Sequence, residues 1–478
     1  MLFRMLYDRK LAQASYLIGC QQTGDALVID PQRDVDRYLE AAALENLRIT
    51  AITETHIHAD FLSGARELAE RTGARLYLSD EGDADWKYRW LDKKLGGGSY
   101  DHQLLKSGDI FRVGRIEIKA LHTPGHTPEH LVFLVTDRGG GASEPMGVAS
   151  GDFVFVGDVG RPDLLETAAG IAGVKEESAR QLFRSLQLFR QLPDYLQLWP
   201  GHGAGSACGK ALGAVPQSTV GYEKRYNPAV TLADENRFVE NILYGQPEPP
   251  LYFARMKREN KEGPAILGEL PTPGAVPAAA IPDLLQRPIS LIDTRPWPEF
   301  AAGHLPGALF APLNTAFPTV VGSYVEPGSA IYLVVAESRV REAVVDLIHI
   351  GLDEVTGYIT PQTLAEYKAG GGEIVTTKFL HMAELQKLPE TSDAQILDVR
   401  RADEFLAGHV QGAVNIAHTR LLERLNELPK DKPLLVHCLS GSRSAYATAL
   451  LQRHGFDATQ LDGGIQAWIR TGGKVVRD

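Results

Sequence analysis

The sequence predicts a multidomain α/β protein, and three observations carry that prediction. Short apolar strands alternate with segments of helical periodicity through the first half, a proline-rich stretch then interrupts the alternation, and one motif in the second half occurs twice. A chain of 478 residues, 44% hydrophobic and 23% charged, has room for about three domains of roughly 150 residues each. Its formal charge of −11 provides no basic footprint, which excludes nucleic acid and anionic membrane surfaces as expected partners and leaves small molecules and proteins. No apolar run approaches the roughly 20 residues of a membrane-spanning helix, and the opening MLFRMLYDRKLAQASYLIGC lacks a signal-peptide core, so a cytoplasmic chain is expected. A homo-oligomer is the expected assembly. Three cysteines, Cys20, Cys208 and Cys438, are too few and too odd in number for a disulfide framework, so each is judged on its reactivity.

In chain order, the strand candidates of the first half are Ser15–Ile18, Ala26–Asp30, Arg48–Ile52, Arg75–Leu78, Ile116–Leu121, Leu131–Val135 and Leu196–Trp199. The helix candidates are Val35–Leu44, Ala65–Arg71, Glu176–Gln191 and Leu232–Leu243. In Glu176–Gln191, Leu182, Leu186 and Phe189 recur at helical spacing. This domain is expected to span 1–243. From 244 to 280 the composition turns to GQPEPP, ENKEGP and LPTPGAVPAAAIP, whose prolines discourage regular structure and mark a linker. Beyond it, Leu291–Leu313 matches Ile396–His418 at a constant offset of 105 residues, pairing Asp293 with Asp398, Arg295 with Arg400, Phe300 with Phe405 and His304 with His409. Such a period is too long for a solenoid and fits tandem copies of one small parallel-sheet domain, at 281–375 and 376–478.

The chemistry of the first domain is concentrated in TETHIHADFLSG, where His56, His58 and Asp60 follow a strand and precede a helix. A histidine pair alone is more often structural than ligating, so partners are required. They follow as His126 in TPGHT, Asp152 in SGD and His202 in WPGHG, each directly after a strand-like run. Donors on four strand-end loops can converge at one edge of a β-sandwich, with glycine and proline letting backbone approach an ion.

As a set, these four loops resemble the metallo-β-lactamase fold superfamily, which implies an αββα sandwich. Two-zinc members such as glyoxalase II carry a further histidine directly after the Asp of the first motif, whereas here that position is Phe61. A phenyl ring in place of an imidazole removes a ligand of the second ion, and the sequence looks most like the persulfide dioxygenase branch. That resemblance implies one non-haem Fe(II) per chain on His56, His126 and Asp152, a two-histidine, one-carboxylate face with positions open for O2 and a persulfide; zinc is the alternative. Asp152 is chosen over Asp158 because it precedes Arg161 and Asp163 in the register of that branch; Asp158 is expected to cap or orient the loop. His58, Asp60 and His202 would orient the ligands or move protons. Arg161 is a candidate for holding an anionic persulfide, with a salt bridge to Asp163 as the equal alternative. Cys208 is either a small buried thiol or a cysteine carrying sulfur beside the iron. Cys20, His122 and His130 are expected to be structural.

In KPLLVHCLSGSRSAYATALL a β-rich run ends at Val436, and Cys438 opens a loop leading into a helix. Backbone N–H groups of such a loop, the helix N-terminus and Arg443 would stabilise a thiolate and then a persulfide. With Asp398, Arg400, Glu404, Phe405, Gly408, His409 and the closing LDGGIQAW, this segment resembles the rhodanese family. A tyrosine phosphatase is the competing reading of the loop that runs from Cys438 to Arg443. The middle copy has Ala336 where the nucleophile is expected and no cysteine, so it is a degenerate rhodanese domain suited to docking, spacing or oligomerisation. Together the resemblances imply oxidation of a low-molecular-weight thiol persulfide to sulfite, coupled to sulfur transfer among persulfide, thiosulfate, sulfite and thiol through Cys438, a role in hydrogen sulfide detoxification. A zinc-dependent thioesterase or lactonase with accessory rhodanese domains is the alternative, and a non-enzymatic sulfur relay or sensor a third.

Overall fold

The apolar runs of the first half assemble into two six-stranded sheets in the computed structural model, which describes residues 1–167, 173–210, 212–246, 248–387 and 393–477. In the first sheet β1 (Leu2–Asp8), β2 (Gln13–Cys20), β3 (Asp25–Ile29), β4 (Arg48–Thr53), β5 (Arg75–Ser79) and β6 (His102–Leu105) lie side by side in chain order. The second places β7 (Ile110–Val113), β8 (Ile116–His122), β9 (Leu131–Asp137), β10 (Gly147–Gly151), β11 (Gln197–Pro200) and β12 (Ser218–Thr219) side by side in the same manner. Tyr16, Ile18, Leu27 and Ile29 of the first sheet share one buried cluster with Ile118, Phe133, Val135 and Trp199 of the second, so the sheets face each other across a core. Tyr38 and Leu68, from helices Asp36–Leu44 and Ala65–Thr72, cover the first sheet with Ile52 and Leu76. Leu182, Leu186 and Phe238, from helices Lys175–Gln191 and Glu235–Leu243, cover the second with Val148 and Leu198. Burial on both faces is why β2 reads as an apolar run without alternation. The result is an αββα sandwich, and β4, β8, β10 and β11 each end just before a donor-bearing loop.

The stretch 244–280 read as a linker requires correction. Tyr252–Glu262 is a helix that buries Tyr252, Phe253, Met256 and Asn260, and the first unit runs to Leu270, also taking in Ile348–Gly351. Pro249, Pro250 and Pro264 flank this helix, where they bound it without interrupting its hydrogen bonds.

The second unit, Pro271–Leu347 with Leu352–Asp478, holds two five-stranded sheets of the same topology. One is built from β13 (Gly274–Ala275), β14 (Ile289–Asp293), β15 (Leu309–Phe310), β16 (Ala330–Val334) and β17 (Val355–Ile359) in the order β13-β17-β16-β14-β15. The other uses β18 (Phe379–His381), β19 (Gln395–Asp398), β21 (Val414–Asn415), β22 (Leu434–His437) and β23 (Ala458–Asp462) in the order β18-β23-β22-β19-β21, while β20 (His409–Val410) pairs separately with β24 (Val475–Val476). Every pairing within the two five-stranded sheets is parallel. The repeated residues lock both copies alike: Arg295 meets Asp293 at 2.6 Å and the Gly303 carbonyl at 2.9 Å, and Arg400 meets Asp398 at 2.6 Å and the Gly408 carbonyl at 2.8 Å. His304 and His409 each place Nδ1 on the carbonyl of Phe300 or Phe405, at 2.9 and 3.0 Å, and stack on the same ring. The shared motif therefore fastens the fold. Asp398→Ala would strand the buried Arg400 guanidinium, and denaturant titration of the full chain should show this unit destabilised by about 3–5 kcal/mol, with Arg443 and Cys438 still in sequence but their loop loosened.

Candidate metal centre and sulfur-transfer site

The four strand-end loops bring His56, His126 and Asp152 together, their donor atoms within 4.8 Å of one another and all three buried. Each ring is aimed by its other nitrogen. His126 Nδ1 lies 3.0 Å from the Arg161 carbonyl, which can only accept, so Nδ1 carries the proton and Nε2 presents a lone pair. His56 Nδ1 lies 3.0 Å from Thr55 Oγ1, whose own proton goes to Asp30 Oδ2 at 2.9 Å, so this ring too presents Nε2 as a lone pair. That lone pair of His126 faces Asp152 Oδ2 at 3.6 Å, and both Asp152 oxygens lack a hydrogen-bond partner among the described residues. Lone pairs facing a buried, unpartnered carboxylate repel unless a cation lies between them, so the donor set fits a metal ion. Backbone packing leaves the space: a Cβ on Gly201 would come 2.6 Å from Asp152 Oδ1.

Asp60, His202 and Cys208 form a second buried group whose donor atoms also lie within 4.8 Å of one another. His202 Nδ1 is 3.2 Å from the Ala12 carbonyl, and its Nε2 faces Asp60 Oδ2 at 3.4 Å and Asp152 Oδ1 at 3.5 Å. Asp60 and His202, read from sequence as orienting groups, thus have donor geometry of their own, and Asp152 stands between the two sets. Phe61 is fully buried, its ring 4.4 Å from that of His58. His58 joins neither set: its Nε2 lies 3.1 Å from Asp30 Oδ1.

The electrostatics follow from burial. Desolvation, then the neighbouring His58, His126 and His130, keep His56 far below the ordinary imidazole range. Desolvation and the nearby Lys257 ammonium bring His126 down to about 3, so both rings stay neutral and available to a metal. Asp152 is pushed up to about 6 by burial, against the pull of His202. Burial opposes a charge on His58, but Asp30 prevails and holds it at about 9. The Cys208 thiol is pushed well up by burial and by Asp60 and Asp152.

Several supporting residues were not legible in the sequence. Asp30 accepts from Thr55 N at 2.7 Å as well as from Thr55 Oγ1, and so anchors the start of the motif. Asn260, on the helix Tyr252–Glu262, donates to the carbonyls of His58 and Phe61 and accepts from Ser63 N, each at 2.8 Å. Lys257 of the same helix lies 3.8 Å from the Trp86 ring centroid; burial lowers its ammonium to about 7, with Glu129 as the opposing charge. His130, expected to be structural, accepts from Asp152 N at 3.1 Å and so positions that residue's backbone. Arg161 is fully buried and gripped by Asp163 at 3.0 and 2.6 Å and by the Ala207 carbonyl at 3.0 Å, which is the salt-bridge alternative and offers a substrate no exposed face. Asp158 caps its loop through Val159 N and Lys210 N.

In the last repeat, Cys438 Sγ accepts from Gly441 N at 3.1 Å and lies 3.6 Å from Ser444 Oγ at the start of helix Ser442–Arg453. Arg443 forms a two-pronged pair with Glu404 at 2.6 and 2.8 Å, so Glu404 holds its guanidinium beside the loop. Parallel register places Val334 opposite Asp293 and His437 opposite Asp398, so the buried Val335, not Ala336, occupies the nucleophile's position in the middle copy.

Comparison with known proteins matches two families to two parts of the chain. Residues 8–202 match the metallo-beta-lactamase superfamily model, and residues 381–471 match the rhodanese-like domain. A crystal structure of a metallo-beta-lactamase from Staphylococcus aureus subsp. aureus COL is 41% identical and superposes with a TM-score of 0.67, covering 76% of this chain and 99% of that one. The chain belongs to the metallo-beta-lactamase superfamily. In this superfamily member the metallo-beta-lactamase domain is joined to a rhodanese domain, and the extent of the match to the staphylococcal structure is too large for the first unit alone. The beta-lactamase hydrolase-like protein of Xylella fastidiosa strain 9a5c is 31% identical over 253 residues, 49% of this chain and 53% of that one. The hydroxyacylglutathione hydrolase of Polaromonas sp. strain JS666 is 28% identical over 235 residues, 47% of this chain and 78% of that one. The chain spans about half the length of the curated relatives it matches first. Among the described residues no helix is long and apolar enough to cross a membrane.

Asn260→Ala would release two carbonyls and one N–H of the metal-bearing loop at once. Titration with a chelator should show metal affinity falling about 10- to 100-fold with the rest of the sandwich intact.

Proposed function

We propose that the chain oxidises a low-molecular-weight thiol persulfide to sulfite and thiol, and that Cys438 exchanges sulfane sulfur between persulfide or thiosulfate and sulfite or thiol. The observation carrying this reading is the pairing, in one chain, of a buried two-imidazole, one-carboxylate face with a thiol cradled by backbone N–H. One persulfide, one O2 and one water give one thiol, one sulfite and two protons. Fe(II), bound by His56, His126 and Asp152, would supply the redox chemistry and the open positions that O2 and sulfur need. The protein's own groups do the rest. Thr55 and the Arg161 carbonyl fix the two rings, His130 fixes the Asp152 backbone, and Asp30 and Asn260 hold the loop between His56 and Ser63. Phe61 puts an apolar ring where a hydrolytic relative would place an imidazole, which excludes water from that side.

At the second site the Cys438 thiolate attacks the outer sulfur of a persulfide, and the departing thiolate takes the electron pair of the broken S–S bond. Sulfite then attacks the sulfur carried on Cys438, the new S–S bond gives thiosulfate, and the electron pair returns to Cys438. The Gly441 N–H stabilises the charge on Sγ in both steps. Thiosulfate can load the same residue in reverse.

A zinc hydrolase is the second reading, favoured by the Asp60, His202 and Cys208 group beside Asp152. The two separate cleanly. Protein purified without oxygen should carry one iron per chain and take up one O2 per persulfide consumed; two zinc ions per chain and hydrolysis without oxygen uptake would replace the oxygenase reading with the hydrolase. Cys438→Ser should abolish sulfur transfer while oxygen uptake with a supplied persulfide persists, and equal loss of both would contradict separate sites.

A further inference from the structure

One histidine that the mechanism leaves unused lies in Ile348–Gly351, the short segment that completes the first unit. His349 is 1% exposed, with Nε2 2.9 Å from Asp34 Oδ1 and Nδ1 3.2 Å from Asp8 Oδ2, the latter out of line for a hydrogen bond. A neutral imidazole has a single N–H and would turn its lone pair toward one of these carboxylates. A ring protonated at both nitrogens is instead a cation between two anions, as a buried charge requires. Burial opposes that charge, but Asp34 and then Asp8 prevail and hold His349 at about 9. Asp8 is held below the usual carboxylate range against its own burial, by His349 and by the N–H groups of Leu11 and Lys10.

The other charged groups nearby are arginines and their partners. Arg37 stands 3.8 Å from Asp34, and Arg33 donates to the carbonyls of Ile348 and Ala265. Arg255 donates to the carbonyls of Ile350 and Gly351 and meets Glu259 at 3.4 Å. Tyr7, next to Asp8, is pushed further up by burial and by that carboxylate. Arginines keep their charge in neutral and alkaline solution, so the His349 ring is the group that changes there.

Two edges of the metal centre hang on this ring. The His349 carbonyl accepts from Leu62 N at 2.7 Å, two residues after Asp60. Asp8 Oδ1 accepts from Lys10 N and Leu11 N, at 2.7 and 3.0 Å, and so shapes the turn into Ala12. The Ala12 carbonyl in turn accepts from His202 Nδ1 and Gly203 N, at 3.2 and 2.9 Å. Ala12 itself sits at φ +51°, a left-handed conformation that an alanine keeps only where its surroundings impose it.

We propose that His349 is a positioning residue of the metal centre: its imidazolium, fixed between Asp8 and Asp34, holds the Asp60 loop on one side and the turn that aims His202 on the other. Its loss of charge frees both edges and weakens metal binding. The role is the same for iron and zinc, so oxygen uptake decides the reaction and metal affinity decides the part played by His349. The sign follows from the raised value: the ring's stabilisation is complete below about 6.5, the ordinary imidazole value, and is lost as pH rises through about 9.

The test uses the full chain with Co(II) as the probe, affinity being read by competition with a chelator and donor geometry by the visible absorption of the bound ion. At neutral pH His349→Gln should bind Co(II) about 10- to 100-fold more weakly than wild type, with a changed spectrum. The gap should close as pH rises through about 9, where the wild-type ring gives up its proton. Asp34→Asn keeps the ring and removes one of its anions, so its affinity should fall away at a pH lower than in wild type by about one unit or more. Equal Co(II) affinity in His349→Gln and wild type at neutral pH would overturn the proposal, and so would a gap that stays constant through about pH 9, the mark of a ring that only fills space. Should His349→Gln fail to fold, Asp34→Asn decides alone: a shifted profile supports the proposal and an unshifted one overturns it.

Discussion

The first unit depends on a repulsion that its own atoms leave uncompensated. Three imidazoles, His56, His126 and His202, use Nδ1 as donor to a hydroxyl or a carbonyl and so turn a lone pair inward. Inside, Asp60 and Asp152 have both carboxylate oxygens unpartnered, with Asp152 fully buried. Burying one such carboxylate without compensation costs on the order of several kcal/mol, and the arrangement is intelligible as a cradle for positive charge. The surrounding fold serves this demand: two sheets deliver four loops to one edge, and glycines keep Cβ atoms out of the space the donors enclose.

The loops are held from far away in the chain. Asn260 bonds backbone of the His58–Ser63 segment roughly 200 positions earlier, and Ala12 and Arg161 supply carbonyls that fix rings on other loops. Because Asn260 reaches that backbone with its side chain, the identity of a residue at a distant position sets the course of the metal-bearing loop. The helix Tyr252–Glu262 is thus part of the centre, bringing Asn260 to the loop and Lys257 to Trp86.

In the second unit one fold appears twice with its functions divided. Both copies keep the buried Asp-Arg lock and the stacked Phe-His pair, since either copy would lose its turn geometry without them. Only the last copy keeps a thiol at the end of its fourth strand, where the backbone N–H of Gly441 meets it. At the matching position Val335 is sealed into apolar packing. Helix Ser442–Arg453 joins the copies, because the face turned away from its own sheet finds Phe310 and the carbonyls of Ile289 and Gly307.

The amino-acid sequence by itself determined the alternation of strands and helices, the duplicated motif, and the residues His56, His126, Asp152 and Cys438, because periodicity, repetition and donor-rich turns are local signals. It misread 252–262, since the prolines flanking a helix resemble those of a linker when the apolar face that buries Phe253 and Met256 has no visible partner. It also passed over β1, an outermost strand with few fully buried side chains. Only the tertiary structure decided that Arg161 belongs to Asp163, that Asp60, His202 and Cys208 form a second donor group, and that the rings of Tyr324 and His418 meet edge-on. Those facts arise from contacts between distant segments, and hydrogen-bond partnership across such distances leaves no pattern in the linear order of residues.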